Sequence, residues 1–144
     1  MILPISLTAA AVAGLINLWL AIRIGRVRTA EKISIGDGGN ERLIRRMRAQ
    51  ANFVELTPFV LILIVLLELA TGTSMVLWAV MGLYMLGRIA HGFGMDGNSA
   101  ARGAGTLISM ITLLGLSGYA VYVSKSSSGT IMEPTAIEEV VPVG

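Results

Sequence analysis

The sequence has no cysteine, one histidine, four prolines and an aromatic content of only 6%. Lacking cysteine, it has no disulfides, no thiolate metal ligands and no cysteine nucleophile. Any thiol chemistry must arrive with a ligand. Charge is scarce as well. Only 14% of the 144 residues are Asp, Glu, Lys or Arg, against about 25% in a soluble domain. What replaces charge is apolar: 54% of residues are hydrophobic, and mean hydropathy is +0.76.

Ile2 to Ile22 and Gly103 to Ser124 contain no charge, and Ala70 to Gly87 contains none either. Ala51 to Leu67 is broken only by Glu55. Such runs approach or reach the ~20 residues that cross ~30 Å of hydrocarbon. The expected fold is an all-α integral membrane protein, a bundle of four transmembrane helices. The expected spans are residues 2–24, 48–69, 73–94 and 101–123, in one unit over residues 1–124. Residues 125–144, polar, acidic and carrying two prolines, read as a weakly ordered external tail. The first run lacks a basic leader, and its arginines follow it. That favours an uncleaved span over a signal peptide.

Ten of the eleven Lys and Arg residues fall in the first and third connections or at the helix ends beside them, and only Lys125 falls on the other side. The positive-inside rule places both of those loops in the cytoplasm and both termini outside, in an inner or plasma membrane. This asymmetry accounts for the basic pI of about 9.4 without nucleic acid. Arg23, Arg26, Arg42 and Arg46 read as topology markers. In the first loop, Gly36, Asp37, Gly38 and Gly39 read as a turn and not a phosphate cradle, since no GK[ST] follows. Asn40 reads as the cap of the next helix.

Polar residues inside spans are costly and usually face a cavity or the bundle interior. Arg48, Asn52 and Glu55 follow each other at i, i+4 and i+7 and so share one stripe. Tyr84, Arg88, His91 and Met95 form a second stripe. Arg102 with Thr106 forms a third, and Gln50 lies to one side. All lie toward the same ends of their helices. A bundle that gathered them would place arginines around one glutamate, one asparagine and one histidine. Such a cluster suits a small ligand with carboxylates and an ammonium. The plainer readings are that Glu55 pairs internally with an arginine, that Arg88 snorkels to the interface, and that His91 is simply packed. No metal site is expected.

Arg48-Ala49-Gln50-Ala51-Asn52-x-x-Glu55 resembles the second-helix motif of the MAPEG family, the membrane-associated proteins in eicosanoid and glutathione metabolism. Gly87-Arg88-Ile89-Ala90-His91 resembles that family's third-helix segment. Arg102 stands where its fourth helix opens with arginine, and Val27-Arg28 is similar to a position ending its first helix. The resemblance covers about residues 1–124. It implies a homotrimer of four-helix protomers, with glutathione held between neighbours near the cytoplasmic face. Arg28, Arg48, Asn52, Glu55 and His91 would bind the tripeptide, with Gln50, Arg88, Met95 and Thr106 as further candidates. Arg102 would stabilise the thiolate for attack on a lipophilic electrophile or hydroperoxide. Three positions depart from the pattern. Met95, Leu56 and the neighbourhood of Thr106 lack tyrosines that some members carry. The alternative reading is a non-catalytic lipid-binding or scaffold subunit, and a weaker one is a pore.

Overall fold

The computed structural model describes residues 2–128, and these form four helices: α1 (Pro4–Glu31), α2 (Glu41–Thr71), α3 (Met75–Gly94) and α4 (Ser99–Ser128). All four are long and apolar enough to cross a membrane. The protein is an integral, multi-pass membrane protein. The helices outrun the expected spans. At 1.5 Å per residue, the 31 residues of α2 reach ~46 Å, well past the hydrocarbon. The tail expected from Lys125 is helical as far as Ser128, and its remainder lies outside the described residues.

Local chemistry sets the boundaries. Lys32 ends α1 in the left-handed region at φ 55°. In the loop, Asp37 Oδ1 accepts from Gly39 N at 2.8 Å, and Gly38 at φ 59° takes a conformation that a side chain resists. Asn40 caps α2 as expected, accepting from Leu43 N at 3.0 Å. Ser74 caps α3 at Leu77 N, 3.2 Å. Asn98 accepts from Ala101 N at 3.0 Å and so starts α4. By contrast α1 opens at Leu3, with no side chain of its own first turn to cap it and with Pro4 following.

The core is apolar on one stripe of each helix. Ile5, Ala9, Ala13, Ile16 and Leu20 of α1 pack with Phe53, Val60 and Ile64 of α2 and with Met81, Tyr84 and Met85 of α3. The outside is apolar too: Leu15, Leu18, Ile62, Leu66, Leu86 and Leu114 are exposed. Lipid offers no hydrophobic drive for helices to associate, so close packing and polar ties must do it. Accordingly α3 and α4 approach through glycine. A methyl on Gly105 would stand 2.5 Å from the Gly87 carbonyl oxygen and 2.7 Å from His91 Cβ, and one on Gly87 would stand 2.8 Å from Ile108.

Candidate functional site

The interior polar group is Arg88, and it does not snorkel. It is 1% exposed. Its Nη1 donates to Asn52 Oδ1 on α2 at 3.0 Å and to Ser109 Oγ on α4 at 3.1 Å. Its guanidinium lies 5.5 Å from the Phe53 ring centroid. One side chain therefore ties three helices and orients the Asn52 amide, leaving the Asn52 nitrogen free to donate elsewhere. One turn deeper, the Tyr84 hydroxyl bonds Thr57 Oγ1 at 3.0 Å. His91, one turn nearer the arginine-rich end, is 5% exposed. Its backbone abuts Gly105, and the charges of Arg88 and Arg102 both act on its ring.

The expected cluster is thus divided. Asn52, Arg88 and His91 are drawn into the α2–α3–α4 interior. Arg48, Glu55 and Arg102 are exposed on the bundle's outer surface, and none of the three side chains makes a hydrogen bond or ion pair among the described residues. No Glu55–arginine pair is therefore present among the described residues. Glu55 instead lines a shallow groove of about 500 Å³ with Leu56, Phe59 and Ile62 of α2 and Leu113 and Ser117 of α4. Thr106 returns its hydroxyl to the Arg102 carbonyl at 2.9 Å.

Other candidates lie apart. Gln50 faces α1, where its Nε2 donates to Asn17 Oδ1 at 3.2 Å. It sits two residues from Asn52, hence about 200° around the helix. Arg28 reaches Met47 Sδ at 3.6 Å, on the α1–α2 side. Met95 ends α3 and packs on the core.

Two acidic residues outside the expected set organise the ends of the bundle. At the arginine-rich end, Asp96 pairs with Arg23 of α1 and with Arg46 of α2, the latter at 3.1 Å. Arg23 Nη1 also donates to the Gly92 carbonyl at 2.8 Å, and Arg46 Nη1 to the Arg23 carbonyl at 3.0 Å. Two residues read as topology markers therefore also fasten three elements. Burial of the Asp96 carboxyl works against its charge, but the hydrogen bond from Arg46 and the charges of Arg23 and Arg46 outweigh it and hold its pKa below the ordinary carboxylate value.

At the opposite end, Glu68 is 1% exposed and supplies the cap that α1 lacks. Its carboxylate accepts from Ile5 N at 3.1 Å, Ser6 N at 2.8 Å, Ser6 Oγ at 2.6 Å and Thr73 Oγ1 at 2.9 Å. A negative charge at exposed N–H groups of a helix N-terminus is favourable. The sequence signal was a helix start at Leu3-Pro4 without Ser, Thr, Asp or Asn, facing a span that ends in glutamate.

A groove of about 620 Å³ is apolar. It runs between α3 and α4 past Leu77, Val80, Ile111 and Leu116, in the half remote from Arg102. Among the described residues there is no group of three or more His, Cys, Asp or Glu able to hold a metal.

No curated protein matches the sequence. A model of the MAPEG family matches residues 6–122, a range that contains all four helix cores, the α2 stripe, the Arg88–His91 segment and Arg102. With that match over most of its length, the chain belongs to the MAPEG family.

Proposed function

We propose that the protein is a glutathione-dependent membrane transferase or peroxidase that works as a homotrimer, with its arginine-rich end in the cytoplasm and both termini outside. The family includes glutathione transferases and peroxidases together with other membrane proteins. The observation that carries the reading is Glu55, an exposed and unpartnered carboxylate on a membrane-spanning helix. Lipid cannot satisfy it. A second copy of the chain and a ligand ammonium can.

The free charges suit the tripeptide. Glutathione carries two carboxylates and one ammonium. Arg48 and Arg102 offer uncommitted guanidiniums, Glu55 an uncommitted carboxylate, and Asn52 an oriented amide. Arg28 and His91 complete the proposed set, with Arg28 supplied across a protomer boundary. Arg88 backs the set by holding Asn52, and Thr106 lies one turn from Arg102; Gln50 and Met95, on other sides of the bundle, are left out of it. A guanidinium beside a thiol favours the thiolate, so Arg102 is assigned that role. The thiolate then attacks an electrophile or hydroperoxide entering from the lipid.

The test is ultraviolet difference absorbance of thiolate on the purified protein, with chemical cross-linking to count protomers. Glutathione at millimolar concentration is expected to bind and ionise in the wild type. Arg102→Leu should bind without ionising, and Glu55→Ala should bind weakly. No binding by the wild type would overturn the reading. Thiolate formation that persists in Arg102→Leu would overturn the role of Arg102.

The α3–α4 groove supports a second reading, in which the protein binds lipid without chemistry. That reading expects no thiolate in the wild type.

A further inference from the structure

A second polar concavity lies away from the Glu55 groove, at the arginine-rich end between α1, α2 and the α3–α4 connection. It measures about 370 Å³. Trp19 and Phe93, with ring centroids 4.9 Å apart, give its lining an apolar part, and the Arg23 guanidinium lies over both rings. Four arginines line it, Arg23 and Arg26 from α1 and Arg42 and Arg46 from α2, with Asp96 and Glu31. They divide into two kinds. Arg23 and Arg46 are bound to Asp96, and the Arg23 guanidinium is fixed 4.6 Å from the Trp19 ring centroid. Arg26 and Arg42 are exposed and make no hydrogen bond or ion pair among the described residues.

The inner pair builds a rigid rim, and the outer pair presents two free guanidiniums toward one opening. Topology alone does not require this convergence, because the positive-inside effect depends on the number of basic residues near a span and not on their meeting in a pocket. Guanidinium forks match phosphate oxygens in two-point fashion. Phe93, exposed in the same concavity, offers apolar surface to the glycerol and first methylenes of a lipid. Basic pockets between helices at the cytoplasmic side are where anionic headgroups are held.

We propose that Arg26 and Arg42, in the concavity they line with Trp19 and Phe93, form a binding site for a phosphate-bearing anion, supplied either as an anionic phospholipid headgroup or as a free phosphate. The site requires no thiol chemistry and stands whether or not the protein is an enzyme.

The test is native mass spectrometry of the full chain in detergent, with equimolar phosphatidylglycerol and phosphatidylcholine. The wild type should retain phosphatidylglycerol in preference. Near a membrane surface each arginine contributes roughly fivefold, so Arg26→Gln with Arg42→Gln should weaken retention at least about tenfold. Lys32→Gln with Arg45→Gln removes the same charge from the same end but outside the pocket, and should leave the preference intact. A parallel thermal-shift titration uses inorganic phosphate against chloride at matched ionic strength. Stabilisation by phosphate that is lost in the Arg26/Arg42 variant, without lipid preference, assigns the site to free phosphate. Lipid preference without a phosphate effect assigns it to the headgroup. No preference for either anion overturns the proposal. So does equal loss in both double variants, which would make the effect diffuse surface charge. Far-ultraviolet circular dichroism confirms that each variant is folded.

Discussion

Glu68→Gln is the substitution that most directly tests how the bundle is held. The side chain keeps its shape and loses its charge. The wild-type carboxylate accepts four hydrogen bonds, from Ile5 N, Ser6 N, Ser6 Oγ and Thr73 Oγ1. A carboxamide has one oxygen and one nitrogen, so whichever way it turns, an NH₂ group faces donors. With the nitrogen at the Oε2 position it confronts the Ser6 N–H, and with the nitrogen at Oε1 it confronts the Ile5 N–H. A buried donor left unpaired costs about 1–3 kcal/mol. Loss of charge at a helix N-terminus costs a further ~0.3–1 kcal/mol, and more when partly buried. These effects overlap, and together they give a destabilisation of about 2–4 kcal/mol. Glu68→Ala, which removes all four acceptor contacts, should cost more. The assay is reversible unfolding in mixed micelles against denaturing-detergent mole fraction, followed by circular dichroism. Ser6→Ala, alone and combined with Glu68→Gln, completes a double-mutant cycle that should show coupling above ~0.5 kcal/mol. A Glu68→Gln protein within ~0.5 kcal/mol of wild type would refute the idea that this carboxylate caps α1.

Asp96→Asn should lower stability by only about 1 kcal/mol, because the pair is partly solvated. Its effect should depend on pH. The folded pKa is lowered from the ordinary carboxylate value, so the pair contributes fully above the unfolded pKa and progressively less as pH falls through the folded one. Wild type and variant should therefore differ at pH 6, and the difference should shrink as pH falls below the ordinary carboxylate range in the same unfolding assay. Asn52→Leu removes one of the two acceptors of Arg88 and should cost about 1–3 kcal/mol, with loss of glutathione binding in the thiolate assay. Gly105→Ala places a methyl against the backbone of α3, where nothing yields cheaply, and should destabilise by about 1–3 kcal/mol. An unchanged midpoint would mean that α3 and α4 are not in close contact there.

The four spans were legible because the length of an uncharged run is a one-dimensional property, and the bilayer sets the required length. The Asn40 cap was legible for the same reason: donor and acceptor lie three residues apart. The interior was not. The i, i+4, i+7 spacing of Arg48, Asn52 and Glu55 puts them along one side of α2. Periodicity does not say what that side meets, and it proved to straddle the line between interior and surface. The interior role of Arg88 is not legible in the sequence, because its acceptors lie 36 and 21 residues away in the chain. Nor is that of Glu68, which sits at the boundary of its run with its main partners 62 and 63 residues away. Arg23 and Arg46 enter the sequence pattern only as a count of charges. Their second task depends on Asp96, a loop residue whose position only folding defines.

The fourth helix is fastened unevenly. Asp96 and Glu68 join the ends of α1 and α2, while α4 enters neither arrangement. Its tie to Arg88 through Ser109 and its close approaches to α3 at Arg102 and Gly105 all fall within its first three turns. The root of α4, which carries Arg102, is positioned by hydrogen bonds; its far half is positioned by apolar packing, with Leu116 buried in the core and Leu113, Ala120 and Val123 against it. Apolar burial is non-directional, so the half of α4 that walls the apolar groove is placed by shape, whereas the half that bears the guanidinium is placed by bond direction.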